Sequence, residues 1–179
     1  MACPEGAACE RSAIPPMWHK CNNFGSVVEA TPFLPCRCPM RAELSEEFTP
    51  AKLISLAAEG GLGQVKLVID LNVQDFYDPA TELTSLGVGY KKIKCPGGQA
   101  PGDEAYAQFT AAVEEFLAKK SDGDLIAVHC LCGRDRAGFL VSRFLIQEKG
   151  VEPSEAVQRY SQARGFPYTA DLTRFKKAS

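Results

Sequence analysis

The sequence predicts an α/β fold with a mainly parallel sheet of about five strands flanked by helices. Three observations carry that reading. Short continuous apolar runs, VKLVIDL (65–71) and DLIAVHC (124–130), have the character of buried strands. Tyr106, Phe109, Val113, Phe116 and Leu117 recur at helical spacing between them. Strand-like and helix-like stretches then alternate along the chain, which favours crossover connections and parallel pairing.

In order, residues 1–13 are small and polar without periodicity, and predict a flexible tail. Residues 14–179 are expected to form one domain. From Ile14 to Met40 the chain is rich in Pro and Cys (IPPMW, TPFLPCRCP), which suggests extended segments wrapping a core. Thr49 and Pro50 have the types of an N-cap and first helical residue, and Leu53, Ile54 and Ala57 share a face before Gly60 and Gly61. GYKKIKC (89–95) alternates and predicts a strand, and 103–120 an amphipathic helix. A helix follows over 137–150, with Gly150 near its C-cap. Pro153 opens another through Ala163, and Thr169 a last one with Leu172 and Phe175 inward. The KSDG tetrapeptide (120–123) matches a nucleotidyltransferase lysine motif. Four residues with one wildcard are a weak signal, and the segment reads as a turn.

Composition limits the functional classes. The 179 residues are 45% hydrophobic and 23% charged, within globular ranges. Lys and Arg number 20 against 22 Asp and Glu, a net charge of −2, which excludes a generally basic nucleic-acid binder and leaves only local patches. No apolar run approaches the roughly 20 residues that span a bilayer, so no membrane partner is expected. The first residues lack an apolar h-region, so the chain reads as intracellular, in nucleus or cytoplasm, and not secreted. Eight cysteines in such a chain are better read as reduced thiols than as a disulfide framework. Zinc at Cys21, Cys36 and Cys38 is disfavoured, since the chain has two histidines and no paired C-x-x-C.

The chemistry concentrates in VHCLCGRDRAGFL. An apolar strand ends at His129 and Cys130, five residues follow, and Arg136 enters a helix. Backbone N–H groups of a tight loop from Leu131 through Cys132, Gly133, Arg134 and Asp135 to Arg136 can converge on a tetrahedral anion. Gly133 permits the turn, and Ala137 and Gly138 begin a helix whose positive end faces the same point. Arg136 supplies a planar fork for two phosphoryl oxygens. Cys130 lies at the foot of the loop, where helix end and arginine favour the nucleophilic thiolate. His129 is better placed to fix the loop than to attack.

This C-x5-R, preceded by His and set between strand and helix, resembles the signature of the cysteine-dependent phosphatase superfamily. IPPMW (14–18), FLP (33–35), VIDLNVQDFYD (68–78), GVGYKKIKC (87–95) and SEAVQRYSQARG (154–165) extend the resemblance to its RNA 5′-triphosphatase branch. That branch includes the triphosphatase domain of metazoan mRNA capping enzymes, the baculovirus RNA phosphatase and the nuclear dual-specificity-like RNA phosphatase. The resemblance implies the dual-specificity-like phosphatase fold and the removal of the γ-phosphate from 5′-triphosphate RNA. It implies a cysteinyl-phosphate on Cys130, with neither metal nor cofactor. Asp70 matches an aspartate of the capping-enzyme pattern. It closes a buried strand, so loop support is the more plausible role than proton transfer. Asp103 lies where related phosphatases carry an acid, although it can equally cap the helix it precedes; there is no W-P-D motif. Of Lys91, Lys92 and Lys94, one or two could meet RNA phosphates, solvent exposure being the commoner fate of such residues.

The family loop usually reads H-C-T-H-G-x-N-R-T-G where this chain has H-C-L-C-G-R-D-R-A-G, and two of the departures bear directly on the chemistry. Ala137 stands where a hydroxyl residue normally bonds the cysteine sulfur, which predicts slow hydrolysis of a cysteinyl-phosphate. Asp135 stands for Asn and puts a negative charge beside an anion site, unfavourable unless paired with Arg134. A dual-specificity protein or phosphoinositide phosphatase is the alternative enzyme, and a phosphate-binding pseudophosphatase the alternative outside catalysis.

Overall fold

The computed structural model describes residues 14–175; the tail expected over 1–13 lies outside them. Four parallel strands form the sheet in the order β1-β4-β2-β3: β1 (Phe33–Cys36), β2 (Gln64–Asp70), β3 (Gly89–Lys92) and β4 (Asp124–His129). Among the described residues five α-helices surround it: α1 (Pro50–Glu59), α2 (Pro79–Glu82), α3 (Asp103–Leu117), α4 (Asp135–Lys149) and α5 (Pro153–Arg164). Four strands replace the expected five. β1 falls within the Pro-rich stretch read as extended wrapping; Pro35, lacking an N–H, is tolerated because β1 ends the sheet order.

Side-chain alternation on the central strand divides the core. Ile126 and Val128 of β4 pack with Phe109, Val113, Leu140, Phe144 and Tyr160 of α3, α4 and α5. Leu125 and Ala127 face Trp18, Met40, Phe48, Leu53 and Tyr77 on the α1 side. β4 is therefore covered on both faces, which explains its uninterrupted apolar sequence. All strands run the same way, so the C-terminal ends of β2 and β4 coincide. Asp70 is in register with His129 and Lys92, which gathers three polar side chains at one edge of the sheet.

The helix ends follow local chemistry. Thr49 caps α1 by accepting from the Lys52 N–H. Gly150 and Gly165 end α4 and α5 with left-handed φ of 70° and 74°. KSDG is a turn in which the Ser121 N–H donates to Asp124. The last helix expected from Thr169 is reduced to a 3-10 turn over Thr173–Phe175. Asp171 accepts from the Thr173 N–H and hydroxyl and starts the turn there, and the residues from Pro167 to Leu172 form neither helix nor strand. Leu172 is buried as expected. Phe175 meets Phe139 edge-on at 5.7 Å, and the Arg143 guanidinium lies 4.1 Å from its ring.

Phe33, Phe109 and Phe144 form a ring cluster, with centroids 5.4–6.3 Å apart, joining β1, α3 and α4. Phe109→Ala should cost about 3–5 kcal/mol, against about 1 kcal/mol for the exposed-end change Thr49→Ala. Urea unfolding midpoints of the two variants measure the difference.

Candidate active site

The segment between β4 and α4 is built around the fate of its carbonyls. The Leu131 carbonyl accepts from the Cys38 N–H at 2.9 Å. The Cys132 carbonyl accepts from Arg164 Nε and Nη2 at 3.1 and 2.8 Å. The Gly133 carbonyl accepts from the Tyr160 hydroxyl at 2.7 Å. Three successive carbonyls are thus drawn outward into the protein. The N–H groups of Leu131 through Arg136 have no backbone acceptor among the described residues. A concave run of unpaired N–H groups at a helix start is an anion receptor. Gly133 is required twice over: its φ is +60°, and a Cβ there would lie 2.1 Å from the Cys36 carbonyl oxygen.

Arg136, in the first turn of α4, is oriented by its scaffold. Nη1 donates to the carbonyls of Cys95 (2.8 Å) and Leu71 (3.1 Å), and Nη2 donates to Asn72 Oδ1 (3.3 Å). A guanidinium has five N–H donors. Three are used here, leaving Nε–H and one Nη2–H for a ligand, the pair that can grip two oxygens side-on. The acceptors on Leu71 and Asn72 follow β2 directly, and Cys95 follows β3, so the sheet aims this arginine.

His129 is fully buried. Its Nδ1–H donates to the Cys130 carbonyl at 3.3 Å, and Nε2 accepts from the Tyr77 hydroxyl at 2.8 Å. Those partners define the neutral Nδ1–H tautomer. Asp70 lies 3.6 Å from the same Nδ1, accepts from the Asn72 N–H (2.8 Å) and the Tyr90 hydroxyl (3.0 Å), and pairs with Lys92 at 2.8 Å. The predicted Asp70 thus sits beneath the loop, linked through Asn72 to Arg136. Lys92 is a correction to the sequence reading. It is bound to Asp70 and Asp75 rather than turned to solvent or RNA, while Lys91 and Lys94 are exposed.

Cys130 lies on the floor of a cavity of about 630 Å³, walled on one side by Gly97–Pro101 and on the other by Pro167–Ala170. Leu131, Cys132, Arg134, Asp135 and Arg136 also line it; His129 and Gly133 support it from behind, and Ala137 and Gly138 are buried in the following helix. Asp103 is not brought to this cavity. Its side chain is 90% exposed and pairs with Arg143 at 2.7 Å. It is not a cap either, since Gly102 holds the N-cap position and Asp103 is the first helical residue. Asp135 makes no ion pair with Arg134 among the described residues. Burial, and then the Asp135 carboxylate, push the Tyr168 phenol up, which puts that carboxylate toward the Tyr168 wall.

The neighbouring thiols are held in their neutral form. Burial pushes Cys36 and Cys132 up to about 12 and Cys95 to about 11. Cys132 turns to the Met17 carbonyl, which Cys21 also bonds. Among the described residues no group of three His, Cys, Asp or Glu side chains is arranged to hold a metal, and no helix is long and apolar enough to cross a membrane. Sequence reasoning missed Arg164, Tyr160, Tyr77 and Asn72. Arg164 precedes a helix-ending glycine and has the pattern of a solvated last-turn cation, yet it is 0% exposed.

Residues 57–175 match the dual specificity phosphatase catalytic domain family, and the chain belongs to that family. The tyrosine-protein phosphatase of Autographa californica nuclear polyhedrosis virus is 34% identical over 156 residues, covering 85% of this chain and 91% of the viral protein. The RNA/RNP complex-1-interacting phosphatase homolog of Caenorhabditis elegans is 35% identical over 164 residues, covering 86% of this chain and 70% of the relative. The fold is similar to that of crystalline PTPMT1, with a TM-score of 0.63 at 18% identity over 85% of this chain and 92% of the other. The chain is therefore a phosphatase-family protein of the cysteine-based type.

Burial holds the His129 imidazole below the usual histidine range. The unfolded chain takes up a proton there below about pH 6.5, so the unfolded state binds more protons and stability falls as pH is lowered. Melting temperatures measured from pH 7.5 to 5 should drop below pH 6.5, and His129→Gln should flatten that slope. An unchanged slope in the variant would place the linkage elsewhere.

Proposed function

We propose that this chain is a metal-independent RNA 5′-triphosphatase working through a cysteinyl-phosphate on Cys130. The observation that carries the reading is the absence of a titratable side chain in Gly97–Pro101, the wall beside the nucleophile, with Asp103 turned away to Arg143. A phenolate or alkoxide leaving group needs a proton as it departs. A diphosphate is already a stable anion and does not. The resemblance to the RNA triphosphatase branch and the name of the nematode relative point the same way.

In this mechanism the γ-phosphate sits on the N–H groups of Leu131 through Arg136 and on the free side-on edge of Arg136. Cys130 Sγ attacks phosphorus, the bond to the bridging oxygen breaks, and the RNA leaves with a diphosphate end. Water then attacks phosphorus, the P–S bond breaks, and inorganic phosphate departs as the thiolate returns. Donors that tighten on the equatorial oxygens in the transition state supply the rate. Asp70 and His129 act by holding the loop and Arg136.

A dual-specificity protein or phosphoinositide phosphatase is the second reading, and Asp135 favours it. Among the described residues it is the carboxylate on the cavity lining, and a group there could protonate a more basic leaving oxygen. Phosphate release from triphosphate RNA, a phosphotyrosine peptide and a phosphoinositide, measured side by side with chelator present, separates the two. The proposal expects RNA to be preferred; preference for either other substrate defeats it.

Cys130→Ser should abolish release, because a hydroxyl has no comparable anion at neutral pH. Arg136→Lys should lose about 100-fold or more, the scale of a lost transition-state donor, since a point charge cannot reproduce the side-on grip.

Ala137 gives a kinetic expectation. Without a hydroxyl to steady the departing sulfur, breakdown of the cysteinyl-phosphate limits turnover. Rapid mixing should show a burst of the first product, and Ala137→Ser should raise the steady rate and shrink the burst. A linear time course in both proteins would place the slow step earlier.

A further inference from the structure

The loop carries a second guanidinium that the mechanism above leaves unused. Arg134 lines the same cavity as Cys130 and Arg136. Among the described residues its guanidinium makes neither an ion pair nor a hydrogen bond, although Asp135 is its neighbour in sequence; the Arg134 carbonyl accepts from the Gly138 N–H at 2.8 Å. Its guanidinium carbon instead lies 4.2 Å from the centre of the Phe166 ring, and the buried Arg164 is 5.4 Å from the same ring. A cation held against an aromatic face is positioned without losing its charge, and its N–H donors remain available at the edge of the guanidinium. Phe166 precedes the wall segment Pro167–Ala170, so the braced arginine stands where the loop meets that wall.

The donors for one phosphate are already complete without it: the loop N–H groups and two N–H groups of Arg136. An unpaired cation beside a filled anion receptor has its natural ligand in the next anionic group of the same molecule. We propose that Arg134, braced against the Phe166 ring, binds a second phosphate adjacent to the one seated over Cys130, so that the cavity selects substrates carrying neighbouring phosphates. The proposal rests on the reading of the loop as a phosphate site. Neighbouring phosphates occur along a 5′-polyphosphate chain and on an inositol ring phosphorylated at adjacent positions, and the chemistry at Arg134 is the same for both.

The test is equilibrium binding to the non-turnover Cys130→Ser protein, by calorimetry, with orthophosphate and pyrophosphate as probes. Pyrophosphate should bind at least about tenfold more tightly, the worth of an added charge-assisted contact. Adding Arg134→Ala should remove most of that preference while weakening orthophosphate far less. Arg134→Lys and Phe166→Leu should give intermediate ratios, since one keeps the charge without the flat fork and the other removes the brace. The same titrations with a 5′-triphosphorylated oligoribonucleotide and with an inositol bearing adjacent phosphates show which source depends on Arg134. Dependence with either supports the second contact and names its ligand. A pyrophosphate preference that survives Arg134→Ala, or equal weakening of both probes, overturns the proposal while leaving the loop a phosphate site. Failure of orthophosphate and pyrophosphate alike to bind would remove the phosphate-site reading and this proposal with it.

Discussion

Everything at this site depends on where three carbonyl groups point. A seven-residue segment from Cys130 to Arg136 has to reverse direction at the end of a buried strand, and each peptide it contains has a donor and an acceptor to satisfy. Outward hydrogen bonds from the Cys38 N–H, Arg164 and the Tyr160 hydroxyl take up the acceptors of Leu131, Cys132 and Gly133. The donors are left on the concave side. The cost is carried by the surrounding fold: a fully buried arginine with two further donors on the Asn22 carbonyl and side chain, and a tyrosine packed beneath α4. Gly133 pressed against the Cys36 carbonyl is the point at which β1 and the loop meet. That contact makes the short first strand a part of the site as well as of the sheet.

A second layer of support uses charge. Asp70 is buried with the Lys92 ammonium, the Tyr90 hydroxyl and the Asn72 N–H as partners, so its charge is met on several sides. Burying a carboxylate without such company would be prohibitive. The arrangement needs β2, β3 and β4 in parallel register, because only then do Asp70, Lys92 and His129 end side by side. Asn72 carries the order onward to Arg136. The parallel sheet is therefore the reason that a histidine, an aspartate and an arginine from distant parts of the chain share one edge.

Much of this was legible in sequence, and what was not has identifiable causes. Strands β2 and β4, helices α1, α3, α4 and α5 and the phosphate-type loop follow from apolar runs, helical spacing, caps and a glycine at the turn. β1 was hidden by Pro32 and Pro35, whose effect depends on whether a strand is central or at an edge. The expected helix after Thr169 failed because the Asp171 side chain offers the backbone an earlier bond than the helix would. Lys92 alternates with its neighbours as a solvated strand residue does; only the register of β2 with β3 reveals its two aspartates. Asp103 was ambiguous from composition alone, and its partner Arg143 is forty residues away. Arg164 and Tyr160 lie in a block that resembles relatives, but their service to the loop carbonyls is a tertiary fact with no local signature.

Arg143 links the two sides of the entrance. It lies between the Tyr106 and Phe175 rings, at 3.9 and 4.1 Å, and its guanidinium also meets Asp103 and Gln147. Asp103 begins the helix that continues from one cavity wall, and Phe175 ends the segment that forms the other. Both walls are thus anchored to one side chain of α4, the helix that also carries Arg136. The aperture is gauged from the same rod that holds the anion, like the jaws of a calliper fixed to one beam. Replacing residues in either wall changes what an entering molecule brushes against, whereas the gap between the walls is set in the interior, by a buried arginine that does not line the cavity.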